Sequence, residues 1–400
     1  MLKGDMLNHV LMRIVSSSMD VSKVRQLEIQ ADDDKGRFLE MLFSGDTLSF
    51  SSCESMVESA FKAMMSISHL SCLQEIYISE CSSLISLSLD AFPSLKVLEI
   101  KGCSNLESVS TSEPPPKSLR NLRILNCQKL EFLQQQHKYE LAELQIEYSC
   151  DSLSSLSLDV FPNLKNLQIK GCENLESVSM SEAPHAALQR LSITYCDKLV
   201  SFAGEGLAAP NLTYLQVEYC EKLEALPRDM KNLLPSLHSL HIHGCSDICR
   251  LAEGGLPPNL KALDVEICEQ QMRDLSWMAN LHALTHLRIV GNYCYNIKSY
   301  PEVGSLPHLP SLTTLDIRHF QNLETLECNQ LLRLTSLQQL YINWCPKLEN
   351  MEGENLPPSL LLLEVYSCGL LGEHCKNKHQ PIWSKIAHIP TIEVDWQQIF

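Results

Sequence analysis

The sequence predicts an α/β solenoid in which each repeat adds one short β-strand to a parallel sheet. Two observations support this fold class. The apolar pattern L-x-x-L-x-[IV]-x-x-C-x-x-L recurs along the chain in thirteen copies, several of which depart from it at one or more positions. Within each copy, the second Leu and the Ile or Val alternate with polar residues, as in Leu191-Ser192-Ile193-Thr194. This two-residue period is typical of a strand with one buried face.

The spacing of the pattern identifies the kind of solenoid. Its first Leu falls at Leu73, Leu95, Leu119, Leu141, Leu164, Leu188, Leu212, Leu237, Leu260, Leu284, Leu312, Leu337 and Leu360. The mean interval is about 24 residues, inside the window of leucine-rich repeats. We therefore predict a right-handed leucine-rich-repeat solenoid (horseshoe), with a parallel β-sheet on the concave face. Proline- and glycine-rich outer segments predict a mostly irregular convex side, and residues 291–311, the largest insertion, are expected to bulge from it.

The pattern divides the chain into three parts. Residues 1–72 are predicted to be degenerate N-terminal repeats with one short helix, from about Ser55 to Ile67. Residues 73–371 form the repeat array, expected to be one continuous domain because each repeat contacts only its neighbours. Residues 372–400 form a C-terminal cap, which must cover the apolar end of the last repeat. Its apolar candidates are Trp383, Trp396 and Phe400.

Composition restricts the kinds of partner and compartment. The formal net charge of -16 and the pI near 5.3 argue against nucleic acid or an anionic membrane as the main partner. No run of 18 apolar residues is present to form a transmembrane helix. Charged residues interrupt Met1 to Val15, so this stretch lacks the apolar core of a signal peptide. We therefore predict a cytoplasmic protein.

Most of the seventeen cysteines fall at one phase of the repeat. They are Cys81, Cys103, Cys127, Cys172, Cys196, Cys220, Cys245, Cys268, Cys345 and Cys368, with Cys150 one place late. An odd total at a turn position favours reduced, buried structural thiols over a disulfide framework. Disulfides between stacked cysteines remain an alternative, because neighbouring strands are about 5 Å apart. Phe320 takes the place of Cys in the repeat that begins at Leu312.

No motif in the chain predicts a metal or catalytic site. His241, His243, Cys245 and Cys249 have zinc-like spacing, but strand alternation places the two histidines on the open face and Cys245 in the core. The phosphate loop, the G-x-S-x-G elbow and the H-E-x-x-H zinc motif are all absent. We therefore predict that the chain is not an enzyme and holds no metal or cofactor.

The open face of the sheet is the predicted partner-binding surface. Aromatic residues at its outward positions have no core to fill, and Tyr, Trp and Arg dominate the energetics of protein interfaces. The alternative is an ordinary solvated sheet that tolerates aromatic residues. The predicted partner-binding residues are Tyr195, Tyr214, Tyr219, His241, His243, Asp264, Glu266, Arg288, Asp316, Arg318, Tyr341, Trp344, Glu364 and Tyr366.

Three sequence features resemble a known family. The Cys turn followed by Lys-Leu-Glu, as at Cys220–Glu224, resembles the C-terminal repeats of plant intracellular nucleotide-binding leucine-rich-repeat disease-resistance proteins. The Leu-Pro-Pro-Ser-Leu step at Leu356–Leu360 and the closing Trp383-Ser-Lys-Ile-Ala-His-Ile-Pro resemble the coiled-coil class of that family. The resemblance covers roughly residues 73–400.

The resemblance implies a sensor and autoinhibitory domain of a plant immune receptor. In that family the repeats restrain a switch domain that binds ADP or ATP, and they recognise a pathogen effector or a host protein. Because the chain lacks the phosphate loop, we expect it to be a fragment without the nucleotide-binding switch. The alternative is the substrate-recruiting repeat domain of a ubiquitin ligase adaptor, which would need a helical adaptor-binding segment before the repeats.

Overall fold

A computed structural model describes residues 27–32, 38–44, 47–51 and 73–399, apart from short gaps at 83, 91, 112–115, 134–136, 182, 204–205, 246–247 and 249–253. The helix predicted from Ser55 to Ile67 lies outside the described residues. Contacts divide the chain into two compact units. The first extends to Ser181 and includes Tyr195–Asp197, and the second comprises residues 182–194 and 198 onwards. The division falls inside the predicted repeat array, whose boundaries remain a prediction.

The first unit contains twelve described strands and one short 3₁₀ helix. They are β1 (Leu27–Asp32), β2 (Phe38–Ser44), β3 (Thr47–Ser51), β4 (Glu75–Ser79), β5 (Ser86–Ser88), β6 (Val97–Lys101), β7 (Ser108–Ser110), β8 (Asn121–Leu125), β9 (Glu143–Glu147), β10 (Ser155–Ser157), η1 (Leu158–Val160), β11 (Asn166–Lys170) and β12 (Ser177–Ser179). Strands β3, β4, β6, β8, β9 and β11 form the inner sheet of this unit, each pairing in parallel with the next.

The second unit adds fourteen described strands and six short helices. They are β13 (Arg190–Thr194), β14 (Ser201–Ala203), β15 (Tyr214–Glu218), α1 (Met230–Leu233), β16 (Ser239–His243), β17 (Ala262–Val265), α2 (Glu269–Arg273), η2 (Leu275–Met278), β18 (His286–Val290), β19 (Ser299–Tyr300), β20 (Thr314–Arg318), β21 (Thr325–Glu327), α3 (Cys328–Leu331), β22 (Gln339–Asn343), β23 (Asn350–Glu352), β24 (Leu362–Tyr366), α4 (Gly369–Lys376), α5 (Pro381–Ile386), β25 (Thr391–Val394) and β26 (Gln397–Gln398). None of the described helices has the length and apolar run needed to cross a bilayer.

Successive inner strands pair in parallel and in register. In the second unit the ladder runs from β13 through β15, β16, β17, β18, β20, β22 and β24 to β25. Equivalent residues of neighbouring repeats are direct partners, as Leu315 with Leu340 and Ile317 with Ile342. These Leu and Ile side chains are almost completely buried. The predicted leucine-rich-repeat solenoid with a parallel sheet is confirmed in each unit.

The N-terminal strands differ from the repeats. Strand β1 pairs with β2, and β2 with β3, in antiparallel register, and only β3 joins the parallel ladder through β4. The connections are short, from Asp32 to Phe38 and from Ser44 to Thr47. Antiparallel strands accept such links, whereas parallel strands need a crossover of a dozen residues or more. The described part of residues 1–72 therefore contains a strand meander that the repeat pattern did not predict.

The cysteine position forms a buried turn after each inner strand, as predicted. The described cysteines are free thiols, and all the predicted ladder members are buried except Cys268, which is half-buried. The thiols of Cys81, Cys127, Cys245 and Cys368 donate to the carbonyl two residues earlier at 3.3 Å. Ser149 replaces Cys in the repeat of β9, where it donates to Glu147 O at 2.7 Å and accepts from the Cys127 N–H at 2.9 Å. This substitution explains why Cys150 falls one place late.

The convex side is mostly irregular, as predicted, and it also contains short strands of two or three residues. Short outer strands pair in parallel as β5 with β7, β10 with β12, and β19 with β21 and β23. The outer Ser-Leu-Ser segments alternate like strands and bury Leu87 and Leu156. Residues 291–311 do not bulge from the array: they contribute β19 to an outer sheet and bury Leu306 and Leu309.

The last repeat is covered by backbone pairing and aliphatic residues. Strand β25 adds a rung beyond β24 and buries Ile392 and Val394. Helix α5 buries Ile382 and Ile386. Trp396 was expected to cover the apolar end, but its side chain is 71% exposed, and Trp383 is only half-buried. Phe400 lies outside the described residues.

Candidate protein-binding surface

Three of the predicted partner-binding aromatics lie at the edge of the sheet. Tyr195, Tyr219 and Trp344 each follow the last residue of an inner strand and have positive φ angles of 56, 52 and 59°. The sequence analysis placed them on the open face of the strands, but the left-handed turn directs them to the edge where the strands end. All three are more than 40% exposed. Their role in partner binding stays a prediction.

The turn residues contact one another between neighbouring repeats. The ring of Tyr148 lies over Gly171, where an added Cβ would approach Cδ1 to 2.3 Å, and Tyr219 covers Gly244 in the same way at 2.4 Å. Lys170 lies over the rings of both Tyr148 and Tyr195, with Nζ 5.6 Å from each centroid. The recurrence of Gly at this phase of the sequence was the signal for a left-handed turn, because only Gly adopts it without strain.

The face of the second unit's sheet brings one row of predicted residues together. Strand pairing aligns His241 with Asp264, Asp264 with Arg288, Arg288 with Asp316, Asp316 with Tyr341, and Tyr341 with Glu364. Each step of this middle row is one inter-strand spacing, so the side chains are immediate neighbours. Residues about 24 positions apart in sequence thereby form one continuous surface.

Three carboxylates on this face are buried, contrary to expectation. Asp264, Glu266 and Asp316 are 6%, 3% and 5% exposed. Longer side chains lie over them: Arg288 donates from Nη1 to Asp264 at 2.8 Å and from Nε to Asp316 at 2.9 Å. Arg318 donates from Nε to Asp316 at 2.7 Å. The prediction that these three are exposed is wrong, because charged and polar neighbours from the same and adjacent repeats remove them from water.

His243 completes this ion-pair network. Its Nε2 lies 2.7 Å from Asp264 Oδ1, and its Nδ1 lies 3.5 Å from Glu266 Oε2. Burial alone would lower the pKa of His243, but the two carboxylates outweigh it and raise this pKa to about 9. The pKa values of Asp264 and Glu266 are lowered because, despite their burial, histidine and other donors stabilise the carboxylates. His243 is therefore protonated at neutral pH and pairs with the two carboxylates as an imidazolium.

Asn292 is a member of the network that the sequence analysis missed. Its amide donates to Glu266 Oε1 at 2.7 Å, and the Gly244 N–H donates to Oε2 of the same carboxylate at 3.2 Å. Asn292 lies in the turn after β18, where the apolar pattern is interrupted. The repeat consensus does not predict the contact between Asn292 and Glu266. The turn after β18 departs from the consensus, so the position of Asn292 is known only from the folded structure.

A shallow groove opens above this network. It has a volume of about 450 Å³ and is lined among others by His241, His286, Arg288, Gln339 and Tyr341. At its side, the Arg190 guanidinium lies 4.2 Å from the centroid of the Tyr214 ring, and that ring lies 5.1 Å from His241. The groove is therefore lined by arginine, histidine and tyrosine side chains, and the buried ion-pair network lies beneath them. No group of described residues has the arrangement needed to hold a metal ion.

Parallel pairing of one short strand from each successive repeat, together with buried leucines at a period of about 24 residues, identifies a leucine-rich-repeat protein. Two proteins of Arabidopsis thaliana are similar to this chain in sequence. A disease resistance protein of Arabidopsis thaliana is 35% identical over 334 residues, which are 81% of this chain and 23% of the relative. A disease resistance RPP13-like protein of the same plant is 37% identical over 117 residues, 28% of this chain and 11% of the relative. The chain is related to plant disease-resistance proteins, as the sequence motifs predicted.

No family model matches the chain. Among solved structures, an internalin from Listeria monocytogenes has a TM-score of 0.32 at 13% identity, with 88% of this chain and 87% of that chain covered. The chain spans less than a quarter of the length of the first of the two Arabidopsis relatives.

Proposed function

We propose that the chain is the protein-recognition domain of a plant immune receptor, with sensor and autoinhibitory roles, and that the sheet face of its second unit is the recognition surface. The observation that carries this proposal is the in-register row from His241 to Glu364, held by the ion-pair network beneath it. Relatives named for disease resistance support the biological role.

The network favours binding because it fixes side chains before a partner arrives. Arg288 forms ion pairs with two buried carboxylates, yet 44% of its side chain remains exposed. An arginine held in this way loses less conformational entropy on binding than a free one. Moving a receptor from mostly inactive to mostly active requires about 5.5 kcal/mol of differential binding, which a few such anchors supply.

The proposal includes the setting that the family implies. The partners would be a pathogen effector or host protein and, in a longer receptor, a switch domain that holds ADP or ATP, all in the cytoplasm. A recognition role needs no catalytic site or cofactor in this chain. The two curated relatives give no support to the alternative of a ubiquitin ligase adaptor.

Site-specific cross-linking tests the recognition surface. A photo-reactive amino acid is placed at His286, which is exposed beside the groove, and in a matched variant at Glu224, which is exposed on a turn away from the sheet face. Both variants are expressed in leaf cells challenged with pathogen. Any protein cross-linked at His286 is identified, purified and titrated against the unmodified chain.

We expect a discrete adduct from His286 and none from Glu224. The purified partner should bind the wild-type chain, and Tyr341→Ala should weaken this binding by about tenfold, as expected for an interface anchor. Equal adducts from the two positions, or an affinity unaffected by Tyr341→Ala, would exclude the sheet face as the recognition surface.

A further inference from the structure

Four aromatic side chains form a continuous strip along the edge of the second unit. His319 stacks on Trp344 with ring centroids 5.7 Å apart and planes inclined by 7°. Trp344 meets Tyr366 edge-on at 5.3 Å, and Tyr366 contacts Trp396 at 4.8 Å. Trp344 is 43% exposed and Trp396 71% exposed. We name these four residues the aromatic strip.

The backbone holds the strip open to solvent. His319, Trp344 and Trp396 occupy left-handed turns with φ of 59, 59 and 66°. Hydrogen bonds from the His319 N–H to Asn343 O at 3.0 Å and from the Trp344 N–H to Tyr366 O at 2.9 Å fix these turns. Such φ angles are costly for large residues. The fold therefore maintains exposed indole rings at an energetic cost, although burying them would be favourable.

Acidic groups lie directly beside the strip. Glu364 precedes Tyr366 by two residues on the same face of β24, and Glu393 of β25 is its partner in register. Like charges directly opposite each other are destabilising. Consistently, the pKa of Glu364 is raised by burial, by Glu393 and by Asp316, against the opposing effect of Arg318. Arg318 does not neutralise this pair, because its guanidinium is bound to Asp316.

The other carboxylates of the middle row have cationic partners, which Glu364 and Glu393 lack among the described residues. In that row Asp264 and Asp316 share Arg288, and each has a second cationic or histidine neighbour. Among the ion pairs of the described residues, by contrast, none involves Glu364 or Glu393. The row thus ends in two carboxylates that form no ion pair among the described residues, beside a strip in which Trp344 and Trp396 are exposed.

We propose that the aromatic strip docks a protein segment that carries lysine or arginine side chains. A guanidinium or ammonium group binds the face of Trp or Tyr and pairs with carboxylates, so the strip and the Glu364–Glu393 pair together match such a group. The acidic net charge of the chain adds long-range attraction for a basic partner. This inference rests on the proposed function, since it names the chemistry of a partner that would bind the edge beside the proposed recognition surface.

A peptide probe tests the inference without the natural partner. Fluorescein-labelled hexa-arginine is titrated into the full chain, and a hexa-citrulline peptide of the same length and shape, but uncharged, is the reference. The variants are Glu364→Gln with Glu393→Gln, and separately Trp396→Ala. The control is Glu221→Gln with Glu224→Gln, which removes the same charge from two exposed turn residues.

We expect hexa-arginine to bind more tightly than hexa-citrulline. The Glu364/Glu393 variant and Trp396→Ala should each weaken hexa-arginine binding by about tenfold. The control should change it by less than about twofold, because distant surface charges are screened. Binding should also change the fluorescence of Trp344 and Trp396. Thermal melts verify the fold, which Trp396→Ala should leave intact because this ring is exposed.

Two outcomes would overturn the inference. If the control variant weakened hexa-arginine binding as much as the Glu364/Glu393 variant, the net charge of the chain alone would explain the binding. If hexa-arginine and hexa-citrulline bound equally, the strip would bind an apolar ligand and not a cation. Neither outcome bears on cross-linking at His286, so the strip can fail while the recognition surface stands. Conversely, specific hexa-arginine binding with no cross-linked partner would retain the strip and remove the proposed immune role.

Discussion

The imidazole of His243 lies against Asp264, with Nε2 2.7 Å from Oδ1, although the two residues are 21 positions apart in the sequence. This contact converts two sheet positions that a sequence pattern assigns to solvent into part of a buried ionic layer. Stability near neutral pH and the shape of the sheet face should both depend on it.

We expect the stability of the chain to fall as pH rises toward 9. The folded pKa of His243 is about 9, above the usual value of 6.5. Its stabilising contribution is therefore complete below about pH 6.5 and is lost as pH rises through about 9, a loss of roughly 3 kcal/mol. Thermal unfolding from pH 6 to 10 of the wild type and of His243→Gln measures it.

The matched control for this effect is His308→Gln, since His308 is exposed. The difference in melting temperature between wild type and His243→Gln should shrink above pH 9, whereas the His308 variant should follow the wild type throughout. A constant difference across this range would mean that His243 is neutral in the folded chain. In acid the sign reverses, because the lowered pKa values of Asp264 and Glu266 make their contribution disappear as pH falls.

Removal of Arg288 should be more costly than removal of an arginine from an exposed pair. Arg288→Met leaves two buried carboxylates without their shared donor, so we expect the free energy of unfolding to fall by about 2–3 kcal/mol. Arg123→Met is the control: it breaks only the 3.4 Å pair with Glu99, in which the Arg123 side chain is 47% exposed. That change should cost less than about 1 kcal/mol. Similar losses in urea titrations of the two variants would contradict the buried network.

Replacement of Ser149 by Cys should be tolerated, whereas replacement by Ala should destabilise the chain. Its hydroxyl accepts from the buried Cys127 N–H, and Cys368 Sγ accepts from the Cys345 N–H at 3.3 Å in the equivalent place of another repeat. We expect Ser149→Cys to be nearly neutral, and Ser149→Ala to cost about 1–2 kcal/mol because the N–H loses its partner. Chemical denaturation of both variants checks this, and equal stability of the two would show that the hydrogen bond contributes nothing.

Gly171 should be the least replaceable glycine of those compared. In Gly171→Ala the new Cβ would meet the Tyr148 ring at 2.3 Å, at a φ of +63°. Gly255→Ala is the control, because its φ of +87° is also left-handed but no atom lies within 4 Å. We expect a loss of about 1 kcal/mol for Gly255→Ala from backbone strain alone, and a larger loss for Gly171→Ala. If both variants lose the same stability by thermal melting, Tyr148 does not pack over Gly171.

The leucine pattern predicted the inner strands well because each position is set locally. Leu340 and Ile342 are buried since they alternate with polar residues along one strand, and that alternation is visible in the sequence. The antiparallel pairing of β1 with β2 was not predicted, because no repeat pattern marks it. The role of Ser149 was not predicted either, because Ser takes the place of Cys in this one repeat and Cys150 falls one place later.

The site was predicted less completely because its contacts join different repeats. Alternation correctly placed Asp264 and Asp316 on the sheet face, but only the register shows that Arg288 lies between them. Tyr219 and Trp344 were placed on the strands because the pattern does not show where a strand ends and a left-handed turn begins. Gly171 and Gly244 at the same phase were the sequence evidence for that turn.

Hydrogen–deuterium exchange on the full chain, with and without the partner identified by cross-linking at His286, tests the recognition surface most directly. If the sheet face binds the partner, amide protection should increase in β16, β17, β18, β20 and β22 and at the turns that follow them. Protection confined to the outer strands β19, β21 and β23, with the inner strands unchanged, would contradict the proposed recognition surface.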